Sequence, residues 1–289
     1  MTEAAPVPIE QLRYVRLGTN DLEGSIDFAQ RVLGLQLVEK TEHEAYFRSD
    51  YRDHTLVYVG GEPSCQQAVG LEVFDPAALD RAADLLERRG LRTIRQDADS
   101  ARRRKARDLL RVAMPGGYDL ELVVRPLHSG WRYHGPRDAG ITGLGGVALR
   151  GAADASDQSV WTSVLGGRVS DWVGEAAYVR FAEGAHHRIA MHPSSGRGIL
   201  AVEFEVEDLD LLMQNTYFLR SAQVRIVDGP GRRPFSNQLF VTFAGPDGIL
   251  FSYVCEGTAI GGEWRPRQFP RTRGSFCAWG SETEVAEYR

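Results

Sequence analysis

Cysteine is scarce. Cys65, Cys255 and Cys277 are odd in number and widely spaced, which gives neither a disulfide framework nor a zinc site, so all three read as reduced thiols. No apolar stretch approaches the roughly 20 residues of a membrane span, so no membrane partner is expected. The net charge of -5 lacks the basic surface that would point to a nucleic-acid partner. The opening MTEAAPVPIEQL has no basic-then-apolar signal pattern, and a cytoplasmic location is expected. What remains is an ordinary globular composition, 43% hydrophobic and 25% charged. Its 289 residues suit two compact domains with their own cores. The run RRRKAR at 102–107 could attract an anionic ligand, although a solvated loop between strands is the plainer reading.

An internal repeat organises the chain. Leu12–Gly34 parallels Leu144–Gly166, Ala45–Gly61 parallels Ala177–Ser195, Ala68–Leu86 parallels Leu200–Phe218, and Leu109–Val124 parallels Leu239–Val254. The four pairs fall in the same order in both halves. Within a unit the local signals are legible. Tyr14 to Leu17 alternates as a strand. Asn20 or Asp21 can cap a following helix, because a short side-chain oxygen accepts from its free N–H groups. Gly34 ends that helix, and β-rich runs follow at Leu35–Glu39, Tyr46–Arg48 and Thr55–Val59. The next unit repeats the scheme, with a strand at Gly70–Phe74 and a helix from Pro76 to Arg89 stopped by Gly90. Strands then follow at Thr93–Ile94, Leu110–Met114 and Asp119–Val124. The expected fold is α+β: four βαβββ modules paired into two half-open barrel domains. The N-terminal domain covers residues 1–126, a linker 127–140 with Pro136 and Gly140, and the C-terminal domain 141–289. The cleft inside a curled sheet is the default ligand site.

Paired units of this kind, with DLEGSIDFAQRVLGL near the start, resemble the vicinal oxygen chelate superfamily. The pairs YFRSDYRDHTLVYVGG and YVRFAEGAHHRIAMHP, the run GPGRRPFSNQLFVTFAGPDGILFSYV and the ending WRPRQFPRTRGSFCAWG resemble two-domain type I extradiol ring-cleaving dioxygenases in particular. The resemblance implies a second domain that holds Fe(II), occasionally Mn(II), through two histidines and one glutamate, with coordination positions left open. The matching residues in this chain are Gly146, after Gly143-Leu144-Gly145; Ala201, before Val202-Glu203-Phe204-Glu205-Val206; and Ser252, after the Pro246-Asp247-Gly248 turn. No histidine lies in Ile141–Leu149, Ile199–Val206 or Leu239–Val254. Glu203 and Glu205 are nearby, but carboxylates without imidazoles make a poor iron site. The expected metal ligands are therefore none and the expected cofactor none, with Fe(II) as the alternative. In the first domain the corresponding positions are Tyr14, Ala68 and Glu121, again no site, with Glu121 read as structural or exposed.

By the same resemblance, His187 matches a second-sphere histidine that assists proton movement, a task that its ordinary pKa suits. By position alone it is a strand-start histidine bonded to backbone. His186 is expected to point to the opposite face by strand alternation, and His54, the first-domain equivalent of His187, reads as structural. Arg233 stands where the family carries a substrate-contacting histidine and could clamp a carboxylate or enolate; the plainer reading is a surface loop arginine. Thr242 stands in place of a substrate-donating tyrosine, and Tyr178 at an aromatic wall position. His128, His134 and His192 receive no role. The first functional reading is a metal-independent enzyme. Its ligand is a small oxygenated aromatic or ring-derived product, with His187 and Arg233 catalytic and Tyr178, Thr242, Ser252, Ala201 and Gly146 lining the ligand. The alternatives are a non-catalytic binding or sequestration protein and a working extradiol dioxygenase with an unusual site. Extradiol relatives commonly assemble into homo-oligomers, and self-association is expected on that resemblance.

Overall fold

The computed structural model describes residues 5–151, 156–181, 184–280 and 282–289. The first unit opens with strand β1 (Ile9–Thr19). The side chain of Asp21 then accepts from the Gly24 N–H at 2.9 Å and starts helix α1 (Leu22–Asp27). That helix continues through a wide π-type turn at Phe28–Leu33 and ends on Gly34, whose φ of 81° is left-handed, a conformation that costs glycine little. Strands β2 (Gln36–Lys40), β3 (Glu44–Arg48) and β4 (Leu56–Gly60) complete the unit. The second unit holds β5 (Ala68–Val73), α2 (Pro76–Glu87), β6 (Thr93–Arg95), α3 (Ala98–Arg103), β7 (Asp108–Ala113) and β8 (Asp119–Val124). Helix α2 is capped by Asp75 with Pro76 in its first turn. It buries Ala78, Leu79, Ala82 and Leu86, the i, i+4, i+8 stripe of an amphipathic helix lying on a sheet.

The second half repeats the order. It runs β9 (Ile141–Gly151), α4 (Ser156–Ser159) with a π-type continuation at Val160–Val164, β10 (Arg168–Val173), β11 (Ala176–Arg180), β12 (Gly184–Ala185) and β13 (Ile189–Pro193). Then come β14 (Gly198–Val206), α5 (Leu209–Ser221), β15 (Ile226–Arg232), β16 (Leu239–Ala244) and β17 (Leu250–Cys255). The tail adds β18 (Ala259–Ile260), β19 (Arg267–Phe269) and helix α6 (Arg273–Phe276).

The strand order in the first half is β2-β3-β4-β1-β5-β8-β7-β6. Each unit's last strand returns parallel to its first, and the two opening strands meet antiparallel at the centre. The second half has β15-β16-β17-β14-β9-β13-β11-β10, extended at its edge by β19. The architecture is thus α+β, built from four βαβββ modules. Two features differ from the sequence reading. The RRRKAR run is no plain solvated loop: it overlaps α3, and Arg104 is driven inward onto Glu121. The β12–β18 ribbon and β19 come from segments too short for a periodic signal.

One apolar core runs from Val7 and Leu33 through Trp161 to Phe243 and Phe251, so both halves share it. Arg137, in the connection between them, ties the contact together. It donates to the Val32 carbonyl and the Tyr253 hydroxyl at 2.8 Å and to Asn215 at 2.6 Å, and lies 4.0 Å over the Phe218 ring. Replacing Arg137 with alanine removes a donor from all three acceptors at once, although the Tyr253 hydroxyl still bonds the Val32 and Leu33 carbonyls. Charged hydrogen bonds in such settings contribute about 1.5–3 kcal/mol each, not additively. Arg137→Ala should therefore lower the free energy of unfolding by about 2–3 kcal/mol in a urea titration; a loss under about 0.5 kcal/mol would contradict the tie.

Candidate functional site

The concave face of the second sheet gathers the residues singled out from the sequence. Gly146 on β9 pairs with Glu203 on β14, Glu203 with Ser252 on β17, and Ser252 with Thr242 on β16. Directly paired residues project to the same side of a sheet, so these four form one row. The neighbouring row on that face runs Leu250, Ala201, Ala148, Ala190, Tyr178. Ala201 therefore sits one step beside Gly146 and Ser252, and the residue in register with both is Glu203.

Glu203 is buried and its Oε1 accepts from Arg233 Nη1 at 2.6 Å. The same Nη1 donates to Gln238 Oε1 at 3.0 Å, and the guanidinium lies 4.9 Å from the centre of the Phe240 ring. Burial opposes the Arg233 charge, but the carboxylate of Glu203 outweighs it and holds the arginine firmly protonated. A carbon added at Gly146 would meet Glu203 Oε2 at 3.3 Å and the Arg188 carbonyl at 3.1 Å. The volume in front of Gly146 is therefore taken by the carboxylate. Thr242 and Ser252 hydroxyls are fully buried and bonded to each other at 2.8 Å. Tyr178 lies against Phe235, ring centres 4.0 Å apart, and meets the His187 ring edge-on at 5.0 Å.

His186 and His187 do not point to opposite faces. They precede β13 on an irregular stretch where alternation does not apply. Their Nδ1 atoms lie 3.0 Å apart, both rings buried. His186 Nε2 is 2.8 Å from Asp171 Oδ2, and Asp171 accepts from the backbone N–H of Arg267 at 2.8 Å and from its Nη2 at 2.6 Å. His187 Nε2 has no hydrogen-bond partner among the described residues; the nearest carboxylate, Glu203 Oε2, is 3.9 Å away. Burial, the neighbouring His186 and Arg233 push the His187 pKa well below the ordinary value. For Asp171, burial pushes the pKa up, but hydrogen bonds from His186 and Arg267 outweigh it and hold the carboxyl below its ordinary value. The sequence reading gave Asp171 and Arg267 no role. Arg267 reaches the site from the tail, and only the family-like ending of the chain hinted at it.

Two spaces adjoin this constellation. The inner one, walled by Tyr178, His192, Glu203, Arg233, Phe235 and Tyr288, holds about 10 Å³, room for about one water. Phe276 and Tyr288, brought in by the tail, fill the rest of that concavity. The outer one is a cleft of about 260 Å³ bordered by His186, His187, Glu205, Ser236, Gln238 and Cys255.

The first half is built differently. Tyr14, Gly70 and Glu121 share the equivalent row. The Tyr14 ring covers Gly70, its hydroxyl donates to Glu121 at 2.6 Å, and Arg104 grips the same carboxylate at 2.9 and 3.0 Å. Glu121 is thus a buried structural residue, and His54 packs between the Tyr14 and Tyr46 rings.

Residues 11–122 and 158–253 match the model of the Glyoxalase/Bleomycin resistance protein/Dioxygenase superfamily. The chain belongs to that superfamily. It is 29% identical to biphenyl-2,3-diol 1,2-dioxygenase of Pseudomonas sp. (strain KKS102), over 63% of this chain and 67% of the relative. It is 25% identical to the enzyme of that name from Sphingomonas paucimobilis, over 98% and 97%. Among solved structures, homoprotocatechuate 2,3-dioxygenase from Brevibacterium fuscum superposes with a TM-score of 0.88 at 23% identity, covering 99% of this chain and 93% of that one. The Mn(II)-bound glyoxalase from Novosphingobium aromaticivorans gives 0.87 at 20%, covering 98% and 95%. The fold is theirs, and the chain is extradiol-dioxygenase-like.

A ferrous centre of the facial type needs two imidazoles and a carboxylate converging on one point. At Gly146, Ala201 and Ser252 this superfamily member presents a hydrogen, a methyl and a hydroxyl already bonded to Thr242. The carboxylate in the row is engaged by Arg233. These residues do not fit such an ion.

Acid should expose the cost of the buried imidazoles. Burial lowers the pKa of His54 and His187, and that of His192 to about 3. Unfolded histidines take up protons near pH 6.5 that the folded protein refuses, so stability is complete above that pH and falls as pH drops from about 6.5 toward 3. Each such histidine contributes up to about 1.4 kcal/mol per pH unit. In urea melts between pH 7 and 5, His192→Phe should lessen the acid slope by about one proton; an unchanged slope would contradict a neutral buried His192.

Proposed function

We propose that this extradiol-dioxygenase-like chain is a metal-independent enzyme that moves a proton on a small oxygenated aromatic or its ring-cleavage product. The observation that carries the reading is the buried Glu203–Arg233 pair at 2.6 Å, in the row where the resemblance expects metal ligands. Relatives named for biphenyl-2,3-diol and 1,2-dihydroxynaphthalene support the ligand class.

The chemistry follows from two groups. Arg233 offers a fixed positive charge. Its Nη1 is engaged by Glu203 and Gln238, and the side chain walls the inner space behind His187. In a water-poor site a preorganised positive charge favours negative charge that develops on a ligand nearby. His187 lines the outer cleft and holds an unpartnered, buried ring nitrogen behind that surface, and burial keeps it neutral, the form that accepts a proton. Tyr178 and Phe235 stack on each other and wall the inner space behind His187.

The test is a turnover screen of catechols, diketones and ring-cleavage products with chelator present. Activity should survive chelation, and His187→Ala should lower kcat about 100-fold or more with a small change in KM, the range expected for a general acid or base. Activity that requires added ferrous ion would overturn the proposal. Tight ligand binding with no turnover would favour the sequestration reading instead.

A further inference from the structure

The two histidines and Asp171 form a hydrogen-bonded line whose protons can be placed by elimination. Asp171 is bonded by Arg267 through backbone and guanidinium and has no exposed side chain. A carboxylate only accepts, so His186 Nε2, 2.8 Å away, carries a hydrogen. Taken as a neutral imidazole, His186 carries one hydrogen, which leaves its Nδ1 as an acceptor. The atom facing it at 3.0 Å is His187 Nδ1, and two bare nitrogens do not approach so closely. His187 Nδ1 therefore carries its ring's hydrogen, and His187 Nε2 is left with a lone pair. The surroundings agree: Nε2 is buried with no hydrogen bond, and Glu203 Oε2 stands off at 3.9 Å, as two acceptors should.

We infer that Asp171 and His186 are positioning residues that fix His187 in the Nδ1–H tautomer and leave its Nε2 as the ring's proton acceptor. This deepens the proposed function and rests on it for the acceptor's role, while the tautomer stands independently of any turnover. His187 lines the outer cleft, but its Nε2 is sealed from solvent, so a ligand hydroxyl meets that nitrogen only when the ring or its cover moves. In the proton transfer the ligand O–H bond breaks, its electron pair stays on oxygen, and an N–H bond forms at His187 Nε2. The Nδ1 hydrogen can shift toward His186, so that the added charge is shared by two rings beside the Asp171 carboxylate. No co-reactant is needed.

Histidine tautomers are read directly from long-range proton–nitrogen NMR correlations of the free protein at neutral pH. His187 should appear as the Nδ1–H form and His186 as the Nε2–H form. In His186→Leu, with folding checked by dispersion of the amide spectrum, His187 loses its acceptor and should shift to a mixture containing the Nε2–H form. A wild-type His187 in the Nε2–H form, or a His187 unchanged in His186→Leu, overturns the line. If the tautomers are as assigned and no turnover is found, the catalytic reading fails and the line stands.

Discussion

Everything at the centre of the second half depends on one buried ion pair, Glu203 with Arg233. Removing two charges from water is expensive, and such pairs persist only with good geometry and further hydrogen bonds. Here the pair has a 2.6 Å contact, Gln238 on the same nitrogen and the Phe240 face against the guanidinium. The pair also sets its neighbours. A side chain at Gly146 would crowd the Arg188 carbonyl at 3.1 Å and the Glu203 carboxylate at 3.3 Å. Arg233 reaches inward because its own backbone N–H is fixed to the Gln238 carbonyl at 2.9 Å. The cation next to His187 also helps to keep that ring neutral.

The two halves solve the same packing problem with a hydroxyl-bearing residue, a glycine and a glutamate in permuted order. The first-half row reads tyrosine, glycine, glutamate at Tyr14, Gly70 and Glu121; the second reads glycine, glutamate, serine at Gly146, Glu203 and Ser252. In each, glycine makes room for the group beside it and an arginine neutralises the carboxylate. The difference lies in what fills the centre. In the first half a tyrosine ring lies across the row and bonds the carboxylate directly. In the second half the hydroxyl is that of Ser252, turned to Thr242, so Glu203 is free to face Arg233 and, farther off, His187.

Local signals made most of the fold legible. Asp21, Gly34, Pro76 and Gly90 punctuate helices through capping and turn chemistry that a short window contains, and the repeat multiplied their weight. The site was less legible because it depends on register between strands far apart in sequence. Alternation puts Ala201 and Glu203 on one face, but only the pairing across β9, β14 and β17 shows which of them meets Gly146. His186 was assigned by alternation to a face opposite His187, yet the strand begins only at Ile189. Arg104 sat inside a run whose composition reads as solvated, and nothing local reveals that one of its members enters the core to meet Glu121.

The placement of the cavities constrains where chemistry can occur. The inner concavity, where an open barrel of this fold has its space, is closed by Phe235, Phe276 and Tyr288 to about the volume of one water. A ring-sized ligand cannot enter it while the tail stays packed, and the tail is held by Glu287 bonded to Arg150 at 2.9 Å and to Ser194 at 3.0 Å. The outer cleft has ring-sized room, about 260 Å³, and His187 lies on its wall. A ligand there meets the His186 and His187 rings at the cleft wall, with the His187 Nε2 sealed behind that surface and the Glu203–Arg233 pair deeper still. Proton transfer to Nε2 therefore requires the imidazole or its cover to move, and the hydrogen bond between the two Nδ1 atoms limits how the His187 ring can turn.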